Sequence, residues 1–274
     1  YLRSEREKGR IKHLGFSFHG NTEDLAYYLR LGSWDCVQLM INCIDWNDKD
    51  GENSSVAEKL GFAWGRVQPA GTHYRMAEAE KLPVLVMEPL RGGRLVTLNR
   101  AATRKLHEAE PGASVASWGL RFVASLPAVA VTLSGMSRFS DVVDNVKTMA
   151  AFKPMTDAER GVLASALEDF KKQKTISCTA CRYCMPCSYG IDIPGVFQVY
   201  NDAAGEGELG PEGDGAGISD ALKRKFLIRY NNSVAPLANA SHCIGCGKCK
   251  RSCPQGLDIP KEMQKIEDMV TRLR

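Results

Sequence analysis

The chain has 274 residues, 44% of them apolar and 25% charged, with a formal net charge of +4. That length suits about two globular domains, and no apolar run approaches the roughly 18 residues of a membrane helix. Lys and Arg are scattered instead of forming blocks, which argues against nucleic acid as a partner.

Residues 1–10 read as a charged, helix-like tail with no initiator Met, expected to be the end of something longer. Residues 11–17 read as a short β run, followed by Phe18-His19-Gly20, a helix start at Asn21 and an apolar repeat at Leu25, Tyr28 and Leu29. His19 reads as a binding or structural residue at the strand end. Three further β runs are predicted at 36–41, 83–87 and 128–133, with helical stretches near 74–80 and 115–126 and another through Val142, Val143 and Val146. Strands apolar on both faces and alternating with helices predict parallel βα units. Four such units suit either half of an eight-stranded barrel or a small open, doubly wound sheet. Residues 47–74 form a long crossover bearing Phe62-Ala-Trp-Gly65, to which the sequence assigns no role. Cys36 and Cys43 read as packing thiols. Met155-Thr-Asp-Ala-Glu159 is a capping box, opening a linking helix over 156–175 with Leu163, Ala166, Leu167 and Phe170 on one face.

Eight of the ten cysteines fall in two runs: Cys178, Cys181, Cys184 and Cys187, then Cys243, Cys246, Cys249 and Cys253. The second run has the C-x2-C-x2-C-x3-C-P spacing of iron–sulfur proteins; the first closes its last gap one residue earlier. Both continue into near-identical tails, Gly190-Ile-Asp-Ile-Pro194 and Gly256-Leu-Asp-Ile-Pro260, so the unit is duplicated and implies two clusters. A thiolate every third residue can wrap a compact inorganic core whose soft irons prefer sulfur. Structural zinc also takes four sulfurs, but usually from two C-x2-C pairs set well apart. Four disulfides would suit a small secreted domain, whereas this chain is long and its first residues are no signal peptide. Thiolates holding iron imply a reducing compartment, plainly the cytoplasm. Between the runs, 194–201 and 219–230 have helical apolar spacing around a Gly-rich acidic loop at 205–217. Lys248, Lys250 and Arg251 read first as a solvated surface and second as a docking site for an acidic electron carrier.

These runs resemble the two-cluster 4Fe–4S ferredoxin domains of larger oxidoreductases, in the mostly helical form, over residues 176–274. The resemblance implies a crossed ligation, with Cys178, Cys181, Cys184 and Cys253 on one cluster and Cys243, Cys246, Cys249 and Cys187 on the other. A second resemblance covers residues 1–155. Gly15-Phe-Ser17, Val37-Gln38, the Met87-Glu-Pro-Leu-Arg-Gly-Gly93 motif and Leu133-Ser-Gly-Met-Ser137 with Asn145 are similar, in order, to the ends of strands five to eight of the aldo/keto reductase barrel. The fold this implies is α/β: the second half of a (β/α)8 TIM-like barrel followed by the ferredoxin domain.

In that family a nicotinamide cofactor, NADP or NAD, lies across the carboxyl ends of the strands. Ser17 and Gln38 would then hydrogen-bond its carboxamide, Pro89, Leu90, Arg91 and Gly93 would follow its pyrophosphate, and Gly135, Met136 and Asn145 would flank its adenosine end. Phe18 stands where many members have Asn, and Asp141, with Arg138 nearby, where many have Arg, so NADP and NAD both stay open. The family's catalytic Asp, Tyr, Lys and His would precede Tyr1, so no catalytic residue is assigned and this chain alone is expected to be inactive. Four strands leave open edges, so the missing half-barrel is expected in the same or another chain. The function implied is hydride transfer between a nicotinamide and a small carbonyl or alcohol substrate, accompanied by 4Fe–4S electron transfer and a possible redox partner protein. The alternatives are an electron-transfer subunit with a non-catalytic barrel remnant, or clusters that are purely structural. No flavin motif is present to join two-electron to one-electron chemistry.

Overall fold

The computed structural model describes residues 1–46, 69–172, 175–253 and 255–274, so the Phe62–Gly65 part of the long crossover lies outside the described residues. Two compact units divide the chain, the first holding the described residues up to 96 and 109–164, the second 97–108 and those from 165 onward.

In the first unit a parallel sheet is built from β1 (Gly15–Ser17), β2 (Cys36–Met40), β3 (Val84–Met87) and β4 (Val129–Thr132). The order is β1-β2-β3-β4, so neighbours in sequence are neighbours in space. A doubly wound sheet reverses direction at a switch point; this one does not, and its order is that of a barrel arc. Val37, Leu39, Val84 and Val86 are almost wholly buried, as strands covered by crossover helices require. The helices are α1 (Leu2–Glu7), α2 (Thr22–Arg30), α3 (Ala70–Ala79), α5 (Val115–Ala124) and α6 (Phe139–Ala150), with α4 (Arg100–Ala109) assigned to the second unit and α7 (Asp157–Lys171) straddling the division. α4 was not evident in the sequence, where only Ala102 and Leu106 carry its buried side.

β1 is shorter than the sequence suggests. Leu14 O still accepts from Asp35 N–H at 2.7 Å, but its own N–H donates to Asp35 Oδ2 at 2.7 Å, and Asp35 pairs with Arg6 at 3.0 Å, so a loop carboxylate takes the donor that would extend the strand. Phe18 is buried against Tyr28 and His73 and serves as a core residue. β1 and β4 are the edges of the sheet. Val131 in β4 and Leu133 just after it are over 40% exposed, and α6 exposes Phe139, Val143, Val146 and Met149 along its length.

In the second unit α8 (Ile193–Gly205), α9 (Asp220–Ser233) and α11 (Ile259–Leu273) enclose a core in which Val196, Phe197, Phe226, Met263 and Val270 are fully buried. α8 and α11 grow from the duplicated tails. Each is preceded by Asp, Asp192 or Asp258, and carries proline in its first turn, where a missing N–H costs nothing. No helix among the described residues is long and apolar enough to cross a membrane.

The capping box at the start of α7 forms as expected: Thr156 donates from its backbone N–H and its hydroxyl to Glu159 Oε2 at 2.7 and 2.9 Å. Glu159 also pairs with Arg121, which reaches Glu110 at 2.8 Å. The Thr156 N–H, then Arg121, hold its carboxyl down to about 2. A carboxyl lowered in the folded state adds stability above its ordinary value of 4.5, lost as pH falls toward 2. Urea midpoints should therefore fall between pH 5 and pH 3, and Glu159→Gln should make that fall shallower. An unchanged slope in the variant would remove Glu159 from the account.

Candidate cluster-binding site

Each cysteine run turns back on itself through left-handed residues at matching places. Ala180 and Arg182 have φ of 53° and 64°, and their counterparts Gly245 and Gly247 have φ of 74° and 73°. Glycine takes this conformation freely, whereas an L side chain pays for it. The turns are closed partly through sulfur: Ala180 N–H points to Cys178 Sγ and Tyr189 N–H to Cys187 Sγ, both at 3.4 Å. In both runs the first and third cysteines lean on the apolar core, while Cys181 and Cys246 in the middle are exposed.

A cleft brings Cys178, Cys181 and Cys184 together with Cys253 from the other run, walled by Ile193, Phe197, Leu257 and Ile259. The fourth sulfur of the first group thus comes from across the duplication. On the other side Cys243 and Cys246 lie close enough to Cys249 to add to the rise of its thiol. The tail behind Cys187 is stitched to the segment that leads into Cys243, with Asp192 N–H donating to Ala238 O at 2.9 Å.

Among the described residues no three Cys, His, Asp or Glu side chains converge tightly enough to chelate a single metal ion. A four-iron cube takes one thiolate per iron, so its ligands need not converge on a point, and four cysteines line this cleft. Burial pushes the Cys184 thiol up to about 11, with Cys178, Cys253 and Cys181 adding to the rise. Burial raises Cys249 and Cys253 as well. Such thiols suit a bound metal core, whose charge reverses the balance and deprotonates them.

Two positioning residues carried no signal in the sequence. Asn201 on α8 clamps the extended segment entering the first run, accepting from Ile176 N–H at 2.7 Å and donating to Ile176 O at 2.8 Å. Tyr230 on α9 is buried, and its hydroxyl accepts from Ala240 N–H at 3.1 Å, three residues before Cys243. A lone Asn or Tyr on an apolar helix shows nothing until its partner loop is placed.

At the carboxyl ends of the strands, Ser17 lies directly beside Gln38 in the β1–β2 register. Gln38 Nε2 donates to Met87 Sδ at 3.3 Å. Pro89 is buried, Leu90 lies against the face of α5 at Gly119, and Arg91 and Gly93 have positive φ. The Arg91 guanidinium lies 3.3 Å from buried Asp45, and Asn42 Nδ2 donates to the same carboxylate at 3.0 Å. Glu88 is raised by burial beside this group. Gly135 and Met136 are exposed, and buried Asn145 donates to Ser134 Oγ at 2.9 Å. Asp141 is paired with Arg138 at 3.0 Å in the cap of α6. Asn42 and Asp45 were missed in the sequence, where their i, i+3 spacing was the available sign.

Residues 177–258 match the family model of the 4Fe-4S dicluster domain. No curated protein matches the chain. Among solved structures it is similar to a thermostable aldo-keto reductase bound to the inhibitor epalrestat, at 17% identity and a TM-score of 0.43, over 60% of this chain and 52% of that one. It is also similar to an aldo-keto reductase from Bacillus halodurans, at 17% identity, with a TM-score of 0.42 in both the holo form, 53% of which is covered, and the apo form, 54% of which is covered. The chain spans about half the length of the solved structures it matches.

Two outcomes follow from this geometry. Because Cys253 shares a cavity with the first run, Cys253→Ser and Cys181→Ser should perturb the same half of the iron and the same electron paramagnetic resonance signal, while Cys246→Ser perturbs the other. If Cys253→Ser pairs with Cys246→Ser instead, the crossing is wrong. Tyr230→Phe should destabilise the second unit by about 1–3 kcal/mol, the cost of leaving a buried N–H unpaired, measured by chemical denaturation of the cluster-loaded protein.

Proposed function

We propose that this chain is an iron–sulfur oxidoreductase polypeptide, in which two 4Fe–4S clusters serve electron transfer beside a nicotinamide-dependent aldo/keto reductase-type unit. The observation that carries it is the entry of Cys253 into the cavity of Cys178, Cys181 and Cys184, since a ligand exchanged between runs is the arrangement of a two-cluster ferredoxin. The first cluster is assigned to those four residues, and the second to Cys243, Cys246, Cys249 and Cys187. Each cluster, when bound, takes up and releases one electron. The chain's part is to hold the thiolates, exclude water from the core side through Phe197, Ile193 and Ile259, and leave Cys181 and Cys246 toward solvent, where electrons enter or leave.

For the sheet, hydride transfer between NADP or NAD and a small carbonyl or alcohol carbon is supported by the strand-end motifs and the barrel-type strand order. Ser17 and Gln38 stand side by side where a carboxamide would be held. Arg91 is committed to Asp45, so the Pro89–Gly93 turn would meet a pyrophosphate with its backbone. The exposed apolar residues of β4 and α6 are the surface against which a further set of strands, in the same or another chain, would close a barrel.

Prepared without air, the chain should be brown, contain iron and acid-labile sulfide in equal amounts, and bleach with dithionite. It should not reduce a carbonyl with NADPH or NADH by itself. A colourless protein with stoichiometric zinc would overturn the cluster reading, and turnover by the chain alone would overturn the placement of the catalytic residues outside it.

A further inference from the structure

The two cysteine loops differ in what surrounds them. Around the second, Ile244 is 62% exposed and Leu237 78%, and Tyr189 of the first run's tail is 47% exposed. Tyr189 and Leu237 are neighbours, and Ile244 lies two residues beyond His242, whose ring ties back to Pro236. The Tyr189–Gly190 turn packs onto the backbone at Leu237, where a Cβ on Gly190 would meet the Leu237 carbonyl at 3.6 Å, and His242 Nε2 lies 3.1 Å from Pro236 O. Cys246 is exposed between Ile244 and Lys248. Apolar surface clustered around an exposed metal ligand invites a partner, because monomers seldom leave such patches open without use.

The second loop carries charge of one sign, while the acids nearest it, Asp192 and Asp258, face Arg182 and Lys250. From Pro236 to Cys253 the sequence contains no Asp or Glu, and it holds Lys248, Lys250 and Arg251. Lys250 is spent within the fold, donating to Asp258 at 2.7 Å. Lys248 and Arg251 are exposed on the short helix α10 (Lys248–Arg251) and make no ion pair among the described residues. Two cations without an acidic partner, close in sequence to an exposed apolar side chain, steer an anionic surface toward that loop.

We propose that Tyr189, Leu237, Ile244, Lys248 and Arg251 form a docking surface for an acidic one-electron carrier protein. This rests on the reading of the cysteine runs as cluster ligands. In the docked pair one electron passes between the cluster beside Cys246 and the carrier's own redox centre. One centre is oxidised by one electron as the other is reduced, and no bond or proton moves. Electron-transfer encounters have small, weak interfaces.

The test uses the iron-loaded chain and two oxidised probes: a small acidic [2Fe–2S] protein and a basic haem protein. Calorimetric binding is measured at low and high ionic strength, and single-electron transfer by stopped flow. The acidic probe should bind at least about ten-fold more weakly when salt shortens the Debye length below about 5 Å. Lys248→Glu with Arg251→Glu should weaken it about ten-fold at low salt with iron content unchanged. Leu237→Ser with Ile244→Ser should weaken it at both salts, with electron transfer slowing in step. Salt-independent binding, an unaffected charge-reversal variant, or tighter binding of the basic probe would overturn the docking surface alone. A purified chain without iron would overturn the cluster reading beneath it.

Discussion

The second unit depends on a sulfur that leaves its own run. Cys253 lies just before the tail that starts α11, yet its side chain lines the cavity made by Cys178, Cys181 and Cys184. Cys178 and Cys253 are distant in sequence, so joining them closes a long loop, and α8 and α9 must be packed inside that closure. The core accordingly reads as one body: Ile191 and Ile193 from the first tail, Ile259 from the second, Met263 from α11, and Phe226 and Tyr230 from the helix between. A metal core bound at this point would hold both tails, so binding and folding of the unit are coupled. The left-handed turns at Ala180 and Arg182, each costing about 1–2 kcal/mol in a non-glycine residue, are the local strain such bonding offsets.

The duplication is a repeat of backbone more than of surface. Left-handed turns, capping aspartates and first-turn prolines recur at matching places. In each run a loop cation reaches the Asp that opens the next helix: Arg182 lies 3.7 Å from Asp192, and Lys250 lies 2.7 Å from Asp258. What differs is outside. The first run carries Tyr183, 63% exposed, with one cation, whereas the second carries three cations with Ile244. Two sites with one scaffold and unlike surroundings can differ in potential and in accessibility, the properties a relay of electrons needs.

Parallel strands and the cysteine pattern were legible because both rest on short-range rules: apolar runs between turn residues, and ligands every third position. The strand order was not, since four βα units allow two topologies and only the pairing of β1 with β2, β2 with β3 and β3 with β4 selects one. Interactions between distant residues were also hidden. Asp35 ending β1, Arg121 joining Glu110 to Glu159, and Tyr230 holding Ala240 are contacts with no sequence spacing to announce them. In the sequence Cys253 joins the first run only through likeness to a known arrangement, whereas in the fold it lines the same cleft.

The strand ends show how one charged residue can be read two ways. In a motif, Arg91 beside two glycines invites an anion, since a guanidinium and flexible backbone suit phosphate. In the fold its head is turned to Asp45, which is almost wholly buried and also takes a hydrogen bond from Asn42. A buried carboxylate left without its cation is expensive, so Arg91 is held where it is by Asp45 more firmly than an exposed arginine would be. Glu88, raised by burial, adds a third ionisable group to the cluster. The consequence is a turn whose shape is fixed by side chains pointing away from it, with Leu90 wedged against α5 at Gly119. Any anion approaching the carboxyl edge of β3 therefore meets a backbone held rigid in advance, and rigidity of that kind lowers the ordering cost of binding.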